Sequence, residues 1–312
     1  MFLLDLERVP FALDCTLACG QVFRWHKKGD TWVGVVAGRV LQIERVGSCL
    51  QVWSTPEGFG EQFVRGYFRL DDDLCRILGE IGRDDLIRDA IQALPGLRLV
   101  RQEPWECLAS YICASYNNIP RIRGMIQRLC ERFGDEVTGD PTGNHSFPSA
   151  LALSRAASSE LIDCGLGYRA QYLRDSAKAV AEERVDLNCL RKASYEEART
   201  ELIRLPGVGN KVADCVCLFA LEKLEAFPVD VWIQRILTAN YAALRPVAAT
   251  CPSTLTPRQY REINTFGRCY FGKHAGYAQQ YLYARFSNAL KNREPWSSRS
   301  SFCAGASKSG GL

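Results

Sequence analysis

The sequence predicts an α+β fold in two unequal parts: an antiparallel sheet near the N-terminus, then an all-helical domain. Short β-branched and aromatic runs with glycine-containing turns occupy residues 21–53. From Glu61 onward the apolar spacing becomes helical and no convincing strand follows. At 312 residues the chain is long enough for two cores. The expected division is a sheet domain over 1–95, a helical domain over 96–290, and a tail over 291–312. The stretch Ser297 to Leu312 is rich in Ser, Gly and Lys and reads as disordered.

The strand reading runs in order. Val22-Phe23-Arg24-Trp25 leads to the turn Lys28-Gly29-Asp30, and Thr31 to Val36 leads to Ala37-Gly38. Val40-Leu41-Gln42-Ile43 then reaches Val46-Gly47-Ser48, and Leu50-Gln51-Val52-Trp53 closes the series before Pro56. Such runs joined by tight turns form a meander.

Helices are predicted at 61–68, 71–79, 84–93, 104–115, 119–133, 168–183, 194–204, 210–222, 230–241, 257–270 and 274–290. Ser194-Tyr195-Glu196-Glu197 is a capping box. Asp230 stands directly before Val231-Trp232-Ile233 and reads as an N-cap.

Composition narrows the class. The chain is 47% hydrophobic and 24% charged, as expected of an ordinary soluble protein. The start, Met1-Phe2-Leu3-Leu4-Asp5, meets an acid at once and lacks the basic lead-in of a signal peptide. No apolar run approaches the ~20 residues that a bilayer requires. The 14 cysteines include no C-x-x-C pair, so reduced thiols in an intracellular protein are expected, with no zinc site. Residues 1–95 carry 11 Lys/Arg against 14 Asp/Glu, net −3, and the remainder 28 against 21, net +7. A basic rear half suits a polyanion partner.

The most informative stretch is Leu205-Pro206-Gly207-Val208-Gly209-Asn210-Lys211, followed by the apolar run to Leu221. One helix ends, the glycines turn the chain, and another helix opens with a lysine in its first turn. Helix N-termini present unpaired N–H groups, which suit a phosphate. The glycines fit positive φ or close approach of a phosphate to the backbone. Taken alone, such a segment is as often a plain helix C-cap, a lone lysine a solvated side chain, and a lone aspartate only a cap. Here the acid Asp230 opens a further helix 19 residues after Lys211, behind Phe227-Pro228-Val229.

That segment, Leu205 to Arg235, closely resembles the helix-hairpin-helix and Pro-Val-Asp signature of the DNA glycosylase superfamily. In detail it resembles the 8-oxoguanine DNA glycosylase/AP lyase branch. Further segments agree in order: Cys19-Gly20-Gln21-Val22-Phe23-Arg24-Trp25, Glu106-Cys107-Leu108, Asn117-Asn118-Ile119, Gly165-Leu166-Gly167-Tyr168-Arg169-Ala170 and Ala275-Gly276-Tyr277-Ala278-Gln279. The resemblance covers residues 1–290 and implies a TBP-like sheet domain before a helix-hairpin-helix glycosylase domain.

It also implies roles. Lys211 would attack C1′ of the damaged nucleotide, a task for a neutral amine that desolvation and a helix N-terminus both favour. The resulting Schiff base permits β-elimination of the 3′ phosphate. Asp230 would stabilise the cationic sugar, and its cap hydrogen bonds are expected to hold its pKa down. Base removal requires extrusion from the stack. Tyr168 would wedge into the gap, with Arg169 and Arg121 on the estranged cytosine. Gly20, through its carbonyl, and Gln279 would read the lesion. The base would lie between Cys215 and Tyr283 with Pro228 nearby. Cys215 sits one turn after Lys211, on the same face. Gly207, Gly209, Val212 and Trp232 would meet DNA phosphate. No cofactor or metal is implied. The expected partner is duplex DNA containing 8-oxoguanine, bound by a monomer, in the nucleus of a eukaryote or the cytoplasm and nucleoid of a prokaryote.

The chain departs from the family pattern at three places. Tyr116 precedes Asn117-Asn118 where the family commonly has a third asparagine, and is expected to stack in the vacated space and relax the reading of an opposite cytosine. Trp232 replaces a histidine, and Tyr283 a phenylalanine. Two rivals remain at this level. One is a glycosylase of the same fold for alkylated bases, adenine or other oxidised bases. An alkylation enzyme would lack Lys211, and the iron–sulfur branches need four cysteines beyond the acid, where only Cys251, Cys269 and Cys303 follow. The other is a non-catalytic DNA-binding module, which would need none of Lys211, Asp230, Gly20 and Gln279.

Overall fold

The computed structural model describes residues 1–244 and 255–291. The tail expected beyond Lys291, together with Cys251 and Cys303, lies outside the described residues. The N-terminal part holds β1 (Phe2–Asp5), α1 (Leu13–Ala18), β2 (Trp25–Lys28), β3 (Thr31–Val36), β4 (Arg39–Val46) and β5 (Cys49–Thr55). The strands form one antiparallel sheet in the order β1-β5-β4-β3-β2. β3 falls where predicted, and β4 and β5 extend their predicted cores. Two features differ from expectation. Val22 to Arg24 lie before β2 rather than in it, and β1 joins the edge with Phe2 opposite Val52. β1 is only four residues long and buries Leu4 alone, too little pattern for a sequence reading.

The sheet folds over its own small core. Leu4, Leu41, Ile43, Leu50 and Val52 meet Phe11, Val64 and Phe68, with Trp25 at the centre. The Trp25 indole donates to the Tyr67 hydroxyl at 2.8 Å. Gly34 of β3 makes room for it, since a Cβ there would stand 2.3 Å from the Trp25 ring. Truncating an aromatic buried in this way typically costs ~3–5 kcal/mol.

The helical part comprises α2 (Glu61–Tyr67), α3 (Leu74–Ile81), α4 (Asp85–Ala93), α5 (Pro104–Cys113), α6 (Ile119–Phe133), α7 (Ala150–Arg155), α8 (Ser158–Asp163), α9 (Arg169–Ala181), α10 (Leu187–Lys192), α11 (Tyr195–Ile203), α12 (Asn210–Phe219), α13 (Val231–Asn240), α14 (Pro257–Phe271) and α15 (Ala275–Lys291). Each predicted helix is present within a few residues. Four six-residue helices, α1, α7, α8 and α10, have no predicted counterpart, being too short to show periodicity. Caps explain several starts. Ser194 and Glu197 form the predicted capping box of α11, Asn118 caps α6, and Asp230 caps α13.

The two parts are stitched through buried polar groups. Helices α3 and α4 turn Leu74, Ile77, Ile81, Ile87 and Ala90 into the large helical core, although they precede residue 95. Arg98, 1% exposed, spans the junction by donating to Pro10 O at 2.9 Å and Asp72 O at 3.1 Å. Gln21 donates to Thr16 O and Arg98 O, both at 2.9 Å, and accepts from Val100 N at 2.8 Å. These bonds leave little freedom to the Cys19-Gly20-Gln21 segment, which borders the cleft described next.

Candidate active site

A cleft of ≈ 1080 Å³ opens where α5, α6, α9, α12, α13 and α15 converge with the Gly20 segment. The α11–α12 hairpin forms one wall. Leu205 and Val208 anchor it in the core. Gly207 has φ +78°, and a Cβ on it would lie 2.6 Å from Tyr172 Cβ, so only glycine fits. Gly209 is different. Its φ of −90° is open to any residue, but the space beside it is empty and it caps α12 without a side chain. The first amides of α12 therefore face outward without an internal partner, the arrangement that receives an anion. Val212 is 5% exposed, so it can serve a phosphate only through its N–H.

Lys211 is half-buried in the first turn of α12. Its Nζ lies 5.3 Å from the centre of the Tyr111 ring. Among the described residues it makes no hydrogen bond or ion pair. Asp230 lines the same cleft at the start of α13, where its Oδ1 accepts from Ile233 N at 2.8 Å. The expectation of a depressed Asp230 pKa is corrected here. Burial outweighs the Ile233 and Trp232 amides and the nearby Lys211 charge, and raises the carboxyl above its usual range.

The floor is the predicted lesion pocket. Gly20, with φ +84°, packs so that a Cβ would meet Ile119 Cδ1 at 3.2 Å and Tyr283 Cε1 at 3.6 Å. Cys215 and Pro228 are buried beside it and Tyr283 is half-buried. Burial pushes the Cys215 thiol up to about 12, so it is a neutral wall. Gln279 is 5% exposed, and its Oε1 has no hydrogen-bond partner. A buried amide oxygen without a partner costs roughly 1–3 kcal/mol, so an acceptor here is held ready for something that enters.

At the mouth stand three tyrosines. Tyr116 is 87% exposed and Tyr168 58%, and Tyr168 meets Tyr172 edge-on at 6.1 Å. Tyr116 also has φ +49°, a left-handed conformation that asparagine tolerates and tyrosine rarely adopts. Arg169 secures it. The guanidinium donates to Ser115 O at 2.9 Å and lies over the Tyr168 ring at 4.4 Å. A further contact reaches Tyr116 O at 3.4 Å.

The structure thus brings together every predicted residue except one. Trp232 lines the cleft with Arg235 over its ring at 5.2 Å. Arg121 does not line it. It is solvent-exposed on the first turn of α6 because Ile119 and Ile122, three apart, take the inward face. Arg169 lines the cleft as expected but spends its donors on backbone carbonyls. Sequence reasoning missed Tyr111, hidden in an apolar helix with no distinguishing pattern, and Asp214, whose signal was available as one acid inside an apolar run. Among the described residues no group of His, Cys, Asp and Glu gathers as a metal site requires, and no helix is long and apolar enough to cross a membrane.

Known proteins resemble this chain in sequence and in fold. Residues 3–108 match the family model described as 8-oxoguanine DNA glycosylase, N-terminal domain. Residues 109–246 match the HhH-GPD superfamily base excision DNA repair protein model. An N-glycosylase/DNA lyase of Arabidopsis thaliana is 32% identical over 296 residues, covering 90% of this chain and 79% of that protein. That of Saccharomyces cerevisiae is 38% identical over 269 residues, covering 76% and 70%. The 8-oxoguanine glycosylase/lyase of Clostridium acetobutylicum, solved with duplex DNA containing cytosine opposite 8-oxoguanine, is 28% identical with a TM-score of 0.81 over 91% of this chain and 97% of that one.

Proposed function

This chain belongs to the 8-oxoguanine DNA glycosylase family, and we propose from that premise a role for each wall of its cleft. The protein is a DNA glycosylase with abasic-site lyase activity that excises 8-oxoguanine from duplex DNA in base excision repair. Acting on DNA, it works inside the cell, and we propose the nucleus of a eukaryote or the cytoplasm and nucleoid of a prokaryote as its compartment.

The observation that carries the assignment is an unpaired lysine at an uncapped helix N-terminus, sharing one pocket with a half-buried carboxylate and an orphan amide acceptor. The α12 amides hold a phosphate, fixing the backbone of the extruded nucleotide. The Lys211 amine forms a bond to C1′ as the bond from C1′ to the base breaks. The leaving base takes the electron pair and a proton. Asp230, ionised, offsets the positive charge that develops on the sugar. The resulting N,O-acetal then opens: the C1′–O4′ bond breaks, O4′ takes its electron pair and a proton, and an imine is left between Lys211 and C1′. Loss of a C2′ proton expels the 3′ phosphate, and hydrolysis of the imine frees the lysine.

Recognition falls to the floor and the mouth. Gly20 offers its carbonyl to the N7 hydrogen that 8-oxoguanine has and guanine lacks. Gln279 addresses the Watson–Crick edge, and the base stacks between Cys215 and Tyr283. Tyr168 and Tyr116 fill the vacated stack. An exposed phenol stacks by its ring and offers one hydroxyl in place of the paired donor and acceptor of an asparagine amide, so the partner base is read less strictly. The substrate class is tested by single-turnover excision from duplexes carrying 8-oxoguanine, guanine or an alkylated purine at one position. Preference for 8-oxoguanine by roughly 1000-fold, about 4 kcal/mol of discrimination, is expected. Equal excision of an alkylated purine would overturn the reading.

A further inference from the structure

Three residues after Lys211, α12 carries a second charge that does not line the cleft. Asp214 is fully buried in a helix that is otherwise apolar from Val212 to Phe219. A carboxylate in such a place survives only with partners on both oxygens. Oδ1 accepts from the Tyr195 hydroxyl at 2.5 Å and Arg199 Nε at 3.1 Å. Oδ2 accepts from the Tyr260 hydroxyl and from Asn264 Nδ2 at 3.1 Å.

The partners lead to both sides of the cleft. The other arm of Arg199 donates to the side chain of Asn210 at 2.7 Å, next to Lys211 in the first turn of α12. The Tyr260 oxygen accepts from Val229 N at 3.3 Å, and Asn264 Nδ2 also donates to Phe227 O at 2.9 Å. Phe227 to Val229 is the strap that ends in Asp230. A single carboxylate is therefore tied to the chain neighbours of both reactive groups. Stability alone does not call for this node, since well-packed apolar residues in place of a buried ion pair are often neutral or stabilising.

We propose that Asp214 is a positioning residue, whose network with Arg199, Tyr260 and Asn264 sets the placement of Lys211 relative to Asp230. The inference rests on the reading of Lys211 as nucleophile and Asp230 as the carboxylate that offsets the charge on the sugar. Neither Tyr260 nor Asn264 lines the cleft, so removing their bonds acts on geometry and not on substrate contacts.

The test is single-turnover excision and borohydride trapping with wild type, Tyr260→Phe and Asn264→Leu on duplex DNA containing 8-oxoguanine. Lost stability lowers the amplitude of the reaction, the fraction of enzyme that is active, whereas misplacement lowers its rate constant. The expected result is a rate constant reduced about tenfold in Tyr260→Phe, with amplitude and affinity for an uncleavable abasic analogue within twofold of wild type. Rate constants within twofold of wild type in both variants, or a loss confined to amplitude, would overturn the proposal. A Lys211→Gln control that still forms the adduct would refute the underlying reading instead, whatever the network variants do.

Discussion

The Nζ of Lys211 lies over the ring of Tyr111, 5.3 Å from its centre, and that ring is itself stacked on Phe219 with the planes 5° apart. The lysine stem thus crosses the pocket against a rigid aromatic surface. The contact restricts where the amine can go. Tyr111→Phe keeps the face and is expected to excise within about twofold of wild type. Tyr111→Leu removes it and is expected to slow excision roughly tenfold, the equivalent of ~1.4 kcal/mol. Single-turnover rates of the two variants decide this.

Asp230 carries a pH prediction whose sign follows from its burial. Its carboxyl is raised by desolvation, so the folded protein binds this proton more tightly than the unfolded chain. Ionisation consequently costs stability as pH rises from the ordinary carboxylate pKa of ~3.9 through the raised value. Asp230→Asn removes the cost while keeping an oxygen for the Ile233 amide. Its Tm at pH 7.5 is expected to rise by roughly 1–3 °C. Excision is expected to fall by at least ~100-fold and to lose the acid limb of the wild-type pH profile. A lower Tm, or an unchanged acid limb, contradicts this account of Asp230.

Tyr116 combines a φ of +49° with 87% exposure, so the folded protein gains nothing visible from the strain it holds there. Such a conformation costs ~1 kcal/mol or more and is relieved by asparagine. Tyr116→Asn is expected to be more stable by up to ~1 kcal/mol in a denaturant titration. It is also expected to discriminate more strongly between cytosine and adenine opposite the lesion. A destabilised variant with unchanged partner preference would remove Tyr116 from the account.

Gln279 is a polar side chain without a polar partner for its oxygen. Gln279→Leu is expected to fold with unchanged or higher stability, because the unpaired oxygen disappears. Excision of 8-oxoguanine is expected to fall at least tenfold, with most of the loss in KM. Thermal unfolding and steady-state kinetics on one preparation separate the two effects.

Much of this site was legible in the sequence because its chemistry is written in local segments. The hairpin glycines, Lys211, Cys215 and Asp230 lie within 24 residues, and helix geometry relates them directly. Gly20 and Gln279 were placed only by resemblance, since nothing local says that residues so far apart converge. What stayed hidden was of three kinds. β1 and the six-residue helices are too short to carry a period. Arg121 was placed on the estranged cytosine only by resemblance, and in the fold it stands exposed outside the cleft, because the inward face of α6 belongs to its isoleucines. The raised carboxyl of Asp230 reflects how deeply the strap and α13 enclose it, a tertiary quantity that an N-cap pattern cannot report.

The central claim is that Lys211 is the atom donor of the covalent intermediate. Borohydride reduction during reaction with a duplex carrying 8-oxoguanine opposite cytosine tests it most directly. Wild type is expected to give a stable protein–DNA adduct whose peptide map places the DNA on Lys211, and Lys211→Gln is expected to give none while still binding the duplex. An undiminished adduct in Lys211→Gln, or strand cleavage by wild type with no trappable adduct, would contradict the account.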